Sequence, residues 1–177
     1  MKSVTFLILF LSVLGQLSCA TVPDGRGVKN PSGEIQEDEK YRCAALIPDQ
    51  FGLVSVDVQV NDLPGRMLLN SGARLSVLDS GFAQKAGLDF SGKASARIEG
   101  PGLKPVPVKV ATVRKLLIGE ALWENVEIPV GEVSQLMVSD GSGSGFSTEA
   151  GWLGASFLAR TDAIIDYPRA RVCFRIQ

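Results

Sequence analysis

From residue 52 onward the apolar positions recur mostly at every second residue, the period of a strand with one buried face. Val54, Val56, Val58 and Val60 alternate with Ser55, Asp57 and Gln59. Asn61-Asp62-Leu63-Pro64-Gly65 has the composition of a turn. A second apolar run, Met67-Leu68-Leu69, follows it and leads into Asn70-Ser71-Gly72-Ala73. The period then changes. Residues 79–87 predict a short helix, with Asp79 as N-cap and Gly87 as the left-handed residue just past its end. Residues 94–113 predict a hairpin whose arms flank Gly100-Pro101-Gly102. Its second arm carries Pro105 and Pro107, which donate no ladder hydrogen bond, so an edge or solvent-facing strand is expected there. Leu116 to Leu122 reads as two strands joined at Gly119, and Val126, Ile128 and Val130 continue the alternation. Two last runs, 163–167 and 171–176, form a terminal hairpin across Pro168-Arg169-Ala170.

Between these elements lies a Gly/Ser-rich stretch, residues 139–148, expected to be a mobile loop. Its Gly141-Ser142-Gly143-Ser144-Gly145 run superficially suits a phosphate cradle. Such a cradle needs a strand before it and a helix directly after it, and the sequence offers neither.

At 177 residues the chain has room for one ordinary domain with flanking segments. A net charge of -1 argues against a nucleic-acid binder, which needs a basic surface to displace counterions. The chain contains no histidine, which removes Ser-His and Cys-His nucleophile pairs and disfavours catalytic zinc. Carboxylates, Lys, Tyr, Ser and Cys remain for any chemistry, and no metal or cofactor is expected.

Residues 1–19 read as a secretory signal: Lys2, an apolar run over 4–14, then small residues. Leu17-Ser18-Cys19 resembles the end of a bacterial lipobox, with Cys19 as the lipidated residue, although Gln16 stands where a Leu is usual. The competing reading is ordinary cleavage after Ala20. Residues 20–40 are polar, acidic and rich in Pro and Gly, and predict a disordered tether. The folded domain is therefore expected over 41–177, in a bacterial periplasm or held at a membrane by a lipid anchor. Its cysteines are Cys43 and Cys173. In exported proteins two cysteines pair more often than they stay free, and a bridge would make the first and last strands neighbours. Two separately buried thiols are the other reading.

The run Met67 to Leu69, the turn Asn70-Ser71-Gly72-Ala73 and the run Leu75 to Leu78 together resemble the active-site turn of the retropepsin-like aspartic proteases. The family motif is Asp-Thr/Ser-Gly-Ala, so Asn70 stands at the acid position. Gly151-Trp152-Leu153-Gly154, followed by a helix-like segment, resembles the family's second signature, which packs behind the turn. The resemblance covers about residues 50–177. It implies an all-β, retropepsin-like barrel with one or two short helices. It makes the hairpin tip at Gly100, Pro101 and Gly102 a flap, and it places Trp152, Leu153 and Gly154 with them as substrate-binding residues. Asn-Ser-Gly occurs once, which implies a single lobe completed by a homodimer, with the terminal strand over 171–176 in the interface. Asp79, though close to the motif, is read as a helix cap.

Aspartic proteases use two carboxylates that share one proton, because like charges so close cannot both ionise. An amide is almost non-basic and cannot serve as the general base. The resemblance therefore implies a family member without catalysis, degenerate at Asn70 but keeping Ser71, Gly72 and Ala73, that binds extended peptide or protein segments. An active endopeptidase, with Asn70 artificial, deamidated or complemented by another subunit, is the first alternative. A structural envelope domain is the second.

Overall fold

The computed structural model describes residues 40–49, 52–99, 105–133 and 150–176. The signal and lipidation site at Cys19, the tether short of Lys40, the hairpin tip at 100–102 and the loop over 139–148 all lie outside these residues. In chain order the elements are β1 (Tyr41–Ala45), β2 (Ile47–Pro48), β3 (Val54–Val60), β4 (Leu63–Asn70), β5 (Val77–Asp79), α1 (Ser80–Lys85), β6 (Ala96–Ile98), β7 (Val106–Ile118), β8 (Ala121–Gly131), β9 (Gly151–Gly154), α2 (Ala155–Arg160), β10 (Ile164–Asp166) and β11 (Arg171–Arg175). The fold is all-β with two short helices, as expected.

The larger sheet closes on itself. Its order runs β3-β4-β9-β5-β8-β7, and β7 returns to β3 through Val58–Val60 against Leu116–Ile118. A closed ring removes the exposed edges that make open sheets stick to one another. β2 and β6 attach outside this ring. The valines of β3 point inward as their alternation predicts: Val56, Val58 and Val60 are buried, while Asp57 and Gln59 are exposed. Met67, Leu78, Leu116, Ile118, Ile128 and Leu153 fill the interior with them. Trp123, Phe157 and Phe174 meet edge to face at its wall, with ring centroids 5.2 to 6.1 Å apart. Edge-to-face contact sets the positive rim of one ring against the negative face of the next, adding about 0.5–1.5 kcal/mol per pair beyond burial.

Three local readings of the sequence need correction. The turn after β3 is shorter than its composition suggests. Val60 pairs directly with Leu63, leaving only Asn61 and Asp62 in the loop, with φ of 48° and 69°. Positive φ at both positions matches the right-handed strand twist. Pro64 and Gly65 therefore belong to β4, opposite Gln59 and Val58. Pro64 is tolerated because β9 joins β4 only from Met67 onward.

The second correction concerns β7. The edge character expected of its proline arm is confined to Val106–Val108, which pair only with β6, while from Lys109 onward the strand pairs with β8 and at its far end also with β3. Pro107 faces solvent, and it lies beyond Lys109, where pairing with β8 stops. The third concerns alternation in β7 and β8, which is not continuous. Leu116 and Ile118 are buried at one end of β7, Ala111 and Val113 further along. In β8 Ala121 is buried and Leu122 exposed, yet Val126 and Ile128 are buried. The phase changes where the ladder passes from Val113–Val126 to Lys115–Glu124 and skips a pair, with Asn125 at φ 53°.

The helix over 79–87 is present with trimmed ends. The Asp79 carboxylate accepts the N–H groups of Gly81 (2.9 Å) and Phe82 (3.4 Å), and Gly87 has φ 68°.

A three-stranded sheet, β1-β11-β10, stands beside the ring. Two hydrogen bonds bracket β1 and β11: Leu46 N–H to the Ala170 carbonyl (2.8 Å) and Ile176 N–H to the Lys40 carbonyl (2.9 Å). Counting inward from both ends, Cys43 and Cys173 form a non-hydrogen-bonded pair, where side chains approach most closely. They are joined as a disulfide. β11 has a partner on each edge, and Val172, Cys173 and Phe174 are fully buried. Among the described residues both edges of the strand over 171–173 are therefore taken within the chain.

Candidate active-site turn

Asn70 ends β4 and lies beside Gly154, the last residue of β9, in parallel register. The chain then turns sharply. The Ala73 N–H donates to the Asn70 carbonyl (3.1 Å) and to its Oδ1 (3.2 Å), so the amide side chain helps to close its own turn. Ser71 and Gly72, at the apex, are exposed, while Asn70 and Ala73 are half-buried.

Four successive residues after the apex are held by four groups from the β9–α2 segment. The Ala155 N–H donates to the Ala73 carbonyl (2.7 Å) and the Ser156 N–H to the Arg74 carbonyl (3.0 Å). The Trp152 indole N–H donates to the Leu75 carbonyl (2.7 Å), and the Gly154 N–H to Ser76 Oγ (2.8 Å). The first turn of α2 supplies two of these donors, since opening N–H groups of a helix have no partner within it. Gly154 is required by space. A Cβ there would press on the carbonyl of Leu75 and stand 2.8 Å from that of Ala73.

A small apolar cluster lies under the turn. Val77, Val108, Val133 and Trp152 are its buried centre, and Leu68, Ala73, Leu75, Ala96 and Ile98 pack around it half-buried. It joins the turn to the base of the β6–β7 hairpin, so hairpin and turn share one floor.

The structure thus brings together Asn70, Ser71, Gly72 and Ala73 with Trp152, Leu153 and Gly154. The second group packs behind the turn, as its resemblance to the family's second signature implies. Trp152 is 6% exposed and Leu153 0%, and Gly154 is buried too. They hold the turn from behind and are almost wholly covered. Gly100, Pro101 and Gly102 lie outside the described residues, though both arms leading to them are in place. Cys43 and Cys173 sit in the other sheet. Ser76 was missed by sequence reading. Its hydroxyl is a buried acceptor for Gly154, and a lone Ser inside an apolar run was the only available signal.

No carboxylate belongs to the turn, which carries Asn70 and, further along, the exposed Arg74. The Asp79 carboxylate caps α1. Among the described residues two acids are held below the usual carboxylate range, and both lie elsewhere. Asp89 is lowered by the Ser91 backbone N–H and then by the Ser91 side chain. At Asp166 burial pushes upward, but hydrogen bonds from Arg169 and Arg171 and the charge of Arg169 outweigh it. At the position where the family motif carries an acid, the turn carries the amide of Asn70.

The aspartyl protease family model matches residues 56–157, more than half of the 177-residue chain. The chain belongs to the aspartyl protease family. The matched span runs from β3 into α2 and so takes in both the turn and its support. Among solved structures, this family member is similar to a retropepsin-like aspartic protease from Rickettsia conorii, at 18% identity and a TM-score of 0.46, over 76% of this chain and 89% of that one. It is also similar to the EIAV protease complexed with the inhibitor HBY-793, at 18% identity and a TM-score of 0.48, over 68% and 98% of the two chains. A third likeness is to the retroviral protease-like domain of Ddi1 from Leishmania major, at 15% identity and a TM-score of 0.44, over 66% and 82%. Curated protein sequences gave no significant match.

Proposed function

We propose that this aspartyl protease family member has lost catalysis and uses the space beside the Asn70 turn to bind an extended polypeptide segment. The observation that carries the reading is the state of Asn70. Its Oδ1 closes the turn onto Ala73, and residues 73–76 are each held by the β9–α2 segment, yet the position supplies no carboxylate. An Asn is nearly the shape of an Asp and keeps the hydrogen bond, while removing the cost of setting two acids together in a poorly solvated cleft. Binding would use an extended segment laid between hairpin and floor, its backbone pairing with strand edges and its alternate side chains meeting the apolar cluster. One turn per chain makes half of a two-fold site, so a homodimer would complete it. Export to the periplasm, by a signal over 1–19 and with or without lipid at Cys19, is part of the same proposal. The joined Cys43 and Cys173 support it, because such bridges persist in oxidising compartments.

The test compares the protein with its Asn70→Asp variant on a broad peptide library from acid to neutral pH. Intact mass first shows that Asn70 is not deamidated. Saturable peptide binding without cleavage is expected for the unaltered protein, and cleavage for the variant at mildly acidic pH. Turnover by homogeneous, non-deamidated protein would establish the active-endopeptidase reading instead. Failure of both proteins to bind any peptide would favour the structural one.

A further inference from the structure

Away from the turn, a groove lies beside α1 at the end of the β7–β8 ribbon. It consists of two adjoining cavities of about 450 and 420 Å3 that share Ser80, Phe90 and Lys109. No residue from 70 to 76 lines either one. One wall is apolar, made by Val106, Pro107 and Val130 with the ring of Phe90. Lys109 is half-buried between the two cavities. Among the described residues its ammonium has no carboxylate within ion-pair distance. Partial burial strips water from the charge, and an unpaired cation in that position favours an anionic partner.

The groove is not uniformly basic. Asp89 lines the first cavity and Glu132 the second, so the charges read negative, positive, negative, with Lys109 in the middle. A small anion would meet both flanking carboxylates as like charges. A chain with an acid in its centre and bases on either side would meet three opposite ones. Pro105 and Pro107 have no N–H to donate to an added strand, so recognition here falls to side chains.

We propose that this groove is a second docking site, for an extended polypeptide segment in which an acidic residue sits between apolar and then basic residues. The acid faces Lys109, the apolar neighbours lie on Phe90, Val106 and Val130, and the bases face Asp89 and Glu132. The site is separate from the space at Asn70 and does not depend on it.

The probe is a fluorescein-labelled peptide of sequence lysine-leucine-glutamate-valine-lysine, titrated by anisotropy against the full chain, with a glutamine-centred peptide as control. Saturable binding of the glutamate peptide is expected, with weaker binding of the glutamine one. Lys109→Glu should weaken the glutamate peptide about tenfold or more, whereas Lys109→Arg should retain it. Circular dichroism shows whether each variant is folded, and Lys109→Gln replaces Lys109→Glu if the latter is not. Gly72→Trp, which fills the space beside Asn70, should leave this binding unchanged. Binding that Gly72→Trp abolishes and the Lys109 variants spare would place the peptide at the turn and overturn the proposal. So would an absence of saturation up to about 1 mM peptide, the edge of meaningful affinity.

Discussion

Gly154 lies against the carbonyl of Leu75 so closely that no side chain fits between them. Gly154→Ala should therefore force the 73–76 segment to shift, since both neighbours are backbone. The expected cost is about 1–3 kcal/mol, the range for overpacking a filled site. Gly92→Ala is the control, because nothing stands within 4 Å of a Cβ there. Urea unfolding of the two variants should separate them, with only Gly154→Ala shifting the midpoint downward.

Trp152→Phe keeps most of the apolar contact and removes the indole N–H that reaches the Leu75 carbonyl at 2.7 Å. The carbonyl is then left short of a partner in a tight place, at a cost of about 1–3 kcal/mol. Beyond the global effect, amide exchange at residues 73–76 should quicken more than exchange in β3. Uniform quickening would show that Trp152 supports the core and not the turn in particular.

The Cys43–Cys173 bridge closes a span of 130 residues. In the chain-entropy account a loop of that length contributes at most about 5 kcal/mol, and real bridges usually give less. The double variant Cys43→Ser with Cys173→Ser should unfold at lower denaturant and lose protection first in β1. Free thiols titrated in unfolded, unreduced exported protein would show that the bridge does not form in the cell.

Asp166 is held below the usual carboxylate range by Arg169 and Arg171, against the opposing pull of burial. A lowered folded value means that the unfolded chain binds the proton first. Its stabilisation is thus complete above the ordinary Asp value of about 3.9 and is lost as pH falls through the folded value. Stability measured from pH 7 downward should decline below about pH 4, and Asp166→Asn should be less stable at pH 7 yet show a shallower decline. Parallel curves for the two proteins would show that Asp166 does not contribute to acid sensitivity.

Much of this fold could be read in the chain because alternation and caps are local signals. β3, the Asp79 cap and Gly87 follow from nearest neighbours, whereas the place of Trp152-Leu153-Gly154 behind the turn was legible only through the family resemblance. What could not be read depends on partners distant in sequence. The phase change at Asn125 is settled by the ladder to β7, which no window on β8 alone contains. Pro64 looks like a turn residue until β9 is seen to join β4 only beyond it. At the turn, Asn70 was legible as a motif, but Ser76 was not, because the donor it accepts from lies 78 residues away.

The hydrogen bond from Ile176 to Lys40 brings the two ends of the described domain to one corner. Cα atoms in such a pair stand about 5.5 Å apart, so a linker of two or three residues would span them. The domain could then be circularly permuted, reopened at the tight Asn61–Asp62 loop, with every strand pairing kept.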